Sequence, residues 1–276
     1  MAVTTKANLV IPEVFANIVE GEFLQKAKLL KFARVYNDLQ GKPGDTIHFP
    51  KWNTLTEATD LTETNAMTTE VLSASDTFAT VKEIGKAVEI SDTAVLTAIG
   101  DPIAEAARQL ATVMALKVDG DIKTELESTT NVVDHSANGV IKYEYIVEAL
   151  AKFGENYEDV AALVVHSKQA SDLLKDSNFI NAAAFGQPVM VAGYQAIGKI
   201  AGIPVVISDR ISVVTGTSTT YVALLLRNEP VAVAYKRELK IEQDRDILKR
   251  TTVIAATMHY AVKLLSANRV VKIITK

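Results

Sequence analysis

GKPGDTIHFPKWNTLTEATDLTETNAMTTEVLSASDTFATVKEIGKAVEI, residues 41–90, is the stretch on which the reading of the whole chain turns. It opens on Gly41-Lys42-Pro43-Gly44, a strong turn signal. Thr46-Ile47-His48-Phe49 comes next as a short strand, expected to stop at Pro50 because proline has no N–H for a ladder. From Lys51 to Ile84 there is neither glycine nor proline, and residues 54–80 hold nine threonines. Threonine's branched side chain is stiff, so it resists helix and favours extended backbone. Steady apolar alternation returns only late, at Phe78, Thr80, Lys82 and Ile84 and then through Ala87, Val88, Glu89 and Ile90. The pattern predicts a two-stranded arm over roughly residues 45–90 with a polar tip. Legs of ~15–20 residues at about 3.3 Å each reach on the order of 50–65 Å. A lone two-stranded ribbon is marginal in water, so another surface has to lie against it.

Upstream, Ile11 to Phe32 reads as a helix, with Pro12 at its start and Val14, Phe15, Ile18, Val19, Phe23, Ala27 and Leu30 at three- and four-residue spacing. Downstream, Asp101-Pro102 opens the clearest helix of the chain, an N-cap followed by a residue suited to the first turn. Ile103, Ala107, Leu110, Met114, Val118, Ile122 and Leu126 form one stripe, with Glu105, Arg108, Gln109, Thr112, Asp119, Lys123 and Glu127 expected to face away. The run to about Ser128 is ~40 Å long, and Gly120 is a candidate bend. Beyond it the text alternates. Helices are expected over Tyr143–Phe153 and Lys168–Lys175 and a buried strand over Ala161–Val165. Gln195–Ile200 and Ile203–Ile207 read as a strand pair around Gly202. Further strands are expected at Tyr221–Leu226, Val231–Tyr235, Leu239–Glu242, Thr251–Ala261 and Val270–Ile274. No internal repeat of 20–50 residues is present.

With 276 residues, 48% of them hydrophobic and 22% charged, the chain is globular and long enough for one large or two joined lobes. Its 29 basic and 33 acidic side chains sum to −4, which excludes a generally basic nucleic-acid coat. With no cysteine, disulfides, thiolate metal sites and thiol nucleophiles are excluded. Trp52 is the sole tryptophan, which argues against an aromatic-lined carbohydrate or base-stacking groove. No apolar run approaches the ~18–20 residues that span a bilayer, and Met1–Lys6 carries no signal-peptide core, so a soluble protein of a reducing cytoplasm is expected, without a membrane partner.

Catalysis has little to rest on. Gly193-Tyr194-Gln195-Ala196-Ile197-Gly198-Lys199 approaches the phosphate-cradling loop of nucleotide hydrolases, but Ile200 stands where the magnesium-binding hydroxyl belongs and a strand rather than a helix is expected after it. Asp119, Asp121, Glu125 and Glu127 fall in helical text, as a solvated helix end rather than a turning calcium loop. His48, His135, His166 and His259 lie far apart, Asp134-His135-Ser136 are adjacent residues that rarely point at one another, and no Gly-x-Ser-x-Gly turn exists. No catalytic residue, cofactor or metal ligand is assigned. Charge distribution is more informative: residues 54–92 carry eight acidic and two basic side chains, residues 227–276 eleven basic and five acidic. Either these are solvated faces, or the acidic arm tip (Glu57, Asp60, Glu63, Glu70) contacts a basic surface (Arg245, Lys249, Arg250) of a neighbouring copy, opposed potentials selecting partner and register.

The order of elements resembles the major capsid protein of tailed bacteriophages, a fold shared with the herpesvirus shell floor. The resemblance covers nearly the whole chain, and its local marks are Ile11-Pro12-Glu13-Val14-Phe15, Gly41 to Pro50, and Ala201-Gly202-Ile203-Pro204-Val205-Val206-Ile207-Ser208-Asp209. It implies an α+β fold with an N-terminal arm and helix (1–40) and an extended β loop (41–95) lying over an adjacent subunit. It further implies a peripheral domain built on a spine helix (96–141 with 238–276) and an α+β axial domain (142–237). It implies a non-enzymatic subunit that assembles with identical copies, as hexamers and pentamers, into an icosahedral head around double-stranded DNA bound without sequence specificity. A portal and a separate scaffolding protein are the further partners; no long charged helical extension precedes the arm, so a fused scaffolding segment is expected to be absent, whether cleaved away or supplied by another gene. Assembly would take place in the host cytoplasm. Some members crosslink a loop lysine to a peripheral asparagine; Lys51, Lys82, Lys86 and Asn268 are available residue types, with no motif that fixes them. A mild negative charge suits a container for DNA, because a strongly basic wall would hold the genome fast. The rivals are an encapsulin-type bacterial nanocompartment shell, a nucleotide-dependent enzyme using the Gly193–Lys199 loop, and a tail or adhesin protein.

Overall fold

The computed structural model describes residues 27–276 apart from 54, 61–66, 68, 138, 177–195, 201 and 215–218. Its first half contains β1 (Ala33–Tyr36), β2 (Thr46–Trp52), β3 (Ala74–Thr80), β4 (Lys82–Ser91), α1 (Asp92–Thr97) and α2 (Pro102–Glu127). The second half contains β5 (Val132–Asp134), α3 (Tyr143–Ala151), β6 (Val160–Val165), α4 (Ser167–Leu173), β7 (Ala196–Ile200), β8 (Ile203–Ile207) and β9 (Val213–Val214). β10 (Thr220–Arg227), β11 (Val231–Asp246), β12 (Thr251–Leu264) and β13 (Val270–Thr275) complete it. The strands form a four-stranded sheet in the order β1-β11-β12-β4, a seven-stranded sheet in the order β5-β13-β10-β6-β8-β7 with β9 on β10, and the β2–β3 hairpin.

Helix α2 organises the first core. Asp101 caps it, its carboxylate accepting the Ile103 and Ala104 amides at 3.0 and 3.1 Å, and Pro102 occupies the first turn. Leu110, Met114, Val118, Ile122 and Leu126 are buried against Ile254, Ala256, Met258 and Tyr260 of β12, and against Leu224 and Leu226 of β10. The intervening β10 residues Ala223 and Leu225 point the other way, into a second core with Ile146 of α3 and Ala170 and Leu173 of α4. The seven-stranded sheet is therefore covered on both faces, which is why β10 reads as an unbroken apolar run.

The structure revises several expectations. The helix expected over Ile11–Phe32 lies mostly outside the described residues, and its visible end is a 3₁₀ turn, Leu30–Phe32, leading into β1. The arm is shorter than 45–90. β4 leaves the hairpin and pairs antiparallel with β12, from Tyr260↔Lys82 to Thr251↔Ser91, as an edge of the four-stranded sheet. β2 continues past Pro50 to Trp52. The Val81 amide bonds the Asp45 carbonyl and the Asn53 amide bonds the Ser73 carbonyl, so hydrogen-bonded pairs fall on odd residues of β2 and Pro50 occupies a non-hydrogen-bonded position. Val231–Tyr235 and Leu239–Glu242 belong to one strand, β11, whose register shifts between Tyr235 and Lys240. α2 runs unbroken through Gly120. Finally, β13 and β5, expected beside the spine helix, hydrogen-bond into the seven-stranded sheet.

Candidate inter-subunit surface

The hairpin begins where Gly41 and Gly44, at φ 69° and 113°, turn the chain in the left-handed region. Its legs then run in register from Thr46↔Thr80 to Trp52↔Ala74. Beyond the ladder they stay together: the Thr56 amide and hydroxyl both donate to one carboxylate oxygen of Glu70, at 2.9 and 2.8 Å. Those bonds hold the Glu70 carboxyl below its usual range. One face of the root is buried, Phe49 and Ala79 packing on Ala232, Ala234 and Ala261 of the four-stranded sheet. The opposite face and the tip are bare: Trp52 is 66% exposed, Phe78 59%, Met67 75% and Val71 86%.

Of the residues expected to make the contact, Glu57 and Asp60 are exposed on this hairpin, Glu70 is the Thr56 acceptor, and Glu63 lies outside the described residues. Arg245, Lys249 and Arg250 sit at the β11–β12 turn, on a separate projection. Arg245 donates to Asp92 at 2.7 Å, Lys249 lies 3.8 Å from Asp246, and the Arg250 carbonyl accepts the Asp92 amide. The structure does not bring the two groups together within one chain. It also accounts for part of the opposed charge counts internally: Glu83 faces His259 and Arg237 across the sheet, and Glu89 accepts from Thr251.

The carboxylates of α2 are not a solvated end. Asp119, expected outward, is 2% exposed and accepts the backbone amides of Lys28 and Leu29 at 2.7 and 3.2 Å. Burial pushes its pKa up, against the opposing pull of those amides. Asp121 is pressed the same way by burial, but hydrogen bonds from Lys82, Tyr260 and Lys117 outweigh it and hold the carboxyl below its ordinary value. Burial together with the Asp121 bond raises the Tyr260 phenol in turn. Glu125 accepts the Leu264 amide, and Glu127 accepts the amide and hydroxyl of Ser212 at 2.9 and 2.6 Å. The four acids staple the helix to the layers around it. The sequence does carry a signal for Asp119: it lies four residues past Ala115 and three before Ile122, on the apolar stripe itself.

The remaining chemical candidates resolve in the same direction. Residues 193–195 of the glycine loop lie outside the described residues, and the rest of the motif is strand β7, with Ile200 buried. Each histidine has a carboxylate neighbour on another element or turn, Asp76 for His48, Glu148 for His135, Asp209 for His166 and Glu83 for His259. His166 also lies 3.5 Å from the Ser167 hydroxyl, but the same Nδ1 accepts the Lys168 amide at 3.1 Å and caps α4. Lys82 is engaged with Asp121, and Asn268 lies exposed before β13.

Comparison with known proteins agrees with this arrangement. Residues 74–273 match the family model described as phage capsid protein. The chain is 29% identical over 273 residues to the major capsid protein of Staphylococcus phage phiMR11, spanning 98% of this chain and 95% of that one. In fold it resembles the capsid of cyanophage P-SCSP1u, with a TM-score of 0.72 at 12% identity over 89% of this chain and 86% of the other. It also resembles the SrpI encapsulin of Synechococcus elongatus PCC 7942, with a TM-score of 0.65 at 11% identity over 99% and 91%. The fold is thus common to phage heads and an encapsulin, while sequence similarity points to the phage side. The chain belongs to the phage capsid protein family, whose members are structural shell proteins of the virion and not enzymes.

Proposed function

We propose that identical copies of this chain join as hexamers and pentamers and close into an icosahedral head around double-stranded DNA. The DNA is held without sequence-specific contacts. A portal and a separately supplied scaffolding protein are the further partners, and assembly takes place in the host cytoplasm. In this reading residues 1–40 are the arm, the β2–β3 hairpin is the extended loop over a neighbour, and α2 with the four-stranded sheet is the peripheral layer. The seven-stranded sheet with α3 and α4 is the axial one. The observation that carries the proposal is the hairpin's bare face. Trp52, Phe78, Val71 and Met67 project from a ribbon that its own chain covers at the root, through Ile47, Phe49 and Ala79. Such a surface calls for cover by another molecule. Many modest contacts repeated by symmetry then stabilise the whole particle.

The test is a shortened hairpin. Because Asn53 faces Ser73 in a hydrogen-bonded pair, residues 54–72 can be replaced by Asn-Gly, which suits a two-residue turn there. The variant is expected to be soluble and folded by circular dichroism, and to show no closed particles under negative-stain microscopy; normal particles refute the hairpin assignment. Nuclease-protected DNA inside wild-type shells, rather than a protein cargo, distinguishes a phage head from a nanocompartment.

A further inference from the structure

A cavity of about 690 Å³ opens where β1, the root of β2 and the segment between β12 and β13 meet the end of β10. Three guanidinium groups line it, Arg34, Arg227 and Arg269, with His48 beside them and Tyr36 and Phe49 as apolar wall. Asp38 is the one carboxylate among the described residues of that lining. Their bonds within the chain leave cationic capacity to spare. Arg227 donates to Asp159 at 3.0 Å, yet its Nε is buried without a partner among the described residues. Arg34 lies 3.6 Å from Glu229, both half-exposed, a weak pair. Arg269 donates to the carbonyls of Asn228 and Glu229 at 3.2 and 3.1 Å. The site is suited to carboxylates, because a guanidinium presents paired donors to their two oxygens.

A segment of this same chain has the complementary character. Residues 53–75 hold four acidic side chains and no lysine or arginine. We infer that the cavity is a socket for the acidic end of the β2–β3 hairpin of a second copy of the chain. The inference rests on the shell-subunit reading above and deepens it. The donor cannot be the same subunit's own hairpin. Its legs stay paired out to Thr56 and Glu70, six to nine residues beyond the positions 47–50 that line the cavity, so at about 3.3 Å per residue that pair is carried roughly 20–30 Å away from it. The contact is therefore head to tail, the kind that closes into rings. The β11–β12 turn is a weaker rival, since Arg245 and Lys249 already hold Asp92 and Asp246.

The socket and the hairpin share walls. Ile47, His48, Phe49 and Pro50 line the cavity and also form the root of the receiving subunit's own hairpin. Filling the socket braces that root, so each docking event prepares the next donor and ring growth becomes cooperative.

The absence of cysteine from the sequence allows a direct test on the full chain. Thr59→Cys combined with Asn268→Cys, oxidised after assembly, is expected to give a ladder of covalent multimers on a non-reducing gel. Thr59→Cys with Leu248→Cys is expected to stay monomeric. A ladder from the Leu248→Cys pair alone overturns the socket and leaves the shell-subunit reading standing. No ladder from either pair, in a preparation that contains particles, does the same. If the cysteine-free chain forms no particles even when co-expressed with its scaffolding protein, both readings fall. A second experiment reverses charges. Arg34→Glu with Arg269→Glu is expected to cut particle yield at least tenfold, and adding Glu57→Lys, Asp60→Lys and Glu70→Lys to recover most of it. Failure to recover in a folded subunit counts against the pairing.

Discussion

Helix α2 and the β2–β3 hairpin treat their side chains in opposite ways. Along α2 the stripe from Ala106 to Leu126 is buried, and the acids on and beside it bind the N-terminal segment, β4, β12 and the loop at Ser212. Along the hairpin, Phe49 and Ala79 are covered, while Trp52, Phe78, Val71 and Met67 face solvent. The subunit thus separates a surface it satisfies alone from a surface it leaves bare, which the proposed function assigns to assembly. The sharpest way to break the comparison is to injure α2. Leu110→Asp or Met114→Asp places an unpaired charge at a site 2% exposed, which costs several kcal/mol. Expression is expected to yield no folded subunit, measured by soluble fraction and circular dichroism; a folded, assembling product would mean that α2 is not the centre of the core.

The two elements also differ in how far they can be read from sequence. α2 carries local signals at both its start and its stripe, and the expected span ends within one residue of the observed Glu127. The hairpin's first leg is readable for the same reason, in its turn glycines and threonines. β4 is not, because its alternation looks the same whether its partner is the other leg of a ribbon or β12, which lies some 170 residues further along the chain. The continuity of β11 is hidden by the bulges between Tyr235 and Lys240, which put its apolar alternation out of step. Asp119 is misplaced by any reading that weighs charge above position; a helix lying between layers buries its second face as well. The candidate contact residues are legible as sign, acid on one projection and base on another. Their partners are not, since no pattern within one chain says which surface of the next copy they meet.

Asp119 supplies the next largest effect. Asp119→Ala leaves the Lys28 and Leu29 amides without their acceptor, each at about 1–3 kcal/mol, less the gain from no longer burying a carboxylate. For a chain of this size about 2 kcal/mol lowers Tm by roughly 4–8 °C in differential scanning calorimetry. An unchanged melting point would show that the segment before β1 is not held through α2.

Acid titration separates two carboxylates on the same helix. Asp121 has a depressed pKa in the folded state, so the stability it supplies is complete above the unfolded value of 3.8 and drains away as pH falls through the lower folded value. Asp119 has a raised pKa, so the folded chain takes up its proton first, and its contribution grows more favourable as pH falls through that value towards 3.8. Melting curves between about pH 3 and 6 should therefore show a shallower acid loss for Asp121→Asn than for the wild type, and a steeper one for Asp119→Asn. Parallel curves for all three proteins would contradict both assignments.

The smallest expected effect on the subunit is the most informative about the hairpin. Trp52→Ser and Phe78→Ser remove large side chains that are 66% and 59% exposed, Phe78 making a tilted ring contact with His48 at 6.1 Å, so little in the isolated fold depends on their packing. Thermal stability of the unassembled subunit should stay within about 0.5 kcal/mol of the wild type, as for other exposed positions. Under the proposed function particle formation should nevertheless fall, because a neighbour covering the ribbon would bury the same side chains and their loss would remove apolar area at about 25 cal/mol per Å² in every copy. The contrast inverts that of Leu110→Asp, where folding fails before assembly can be asked about. A Trp52→Ser subunit that melts early, or one that assembles like the wild type, would place Trp52 among the side chains the chain uses for itself.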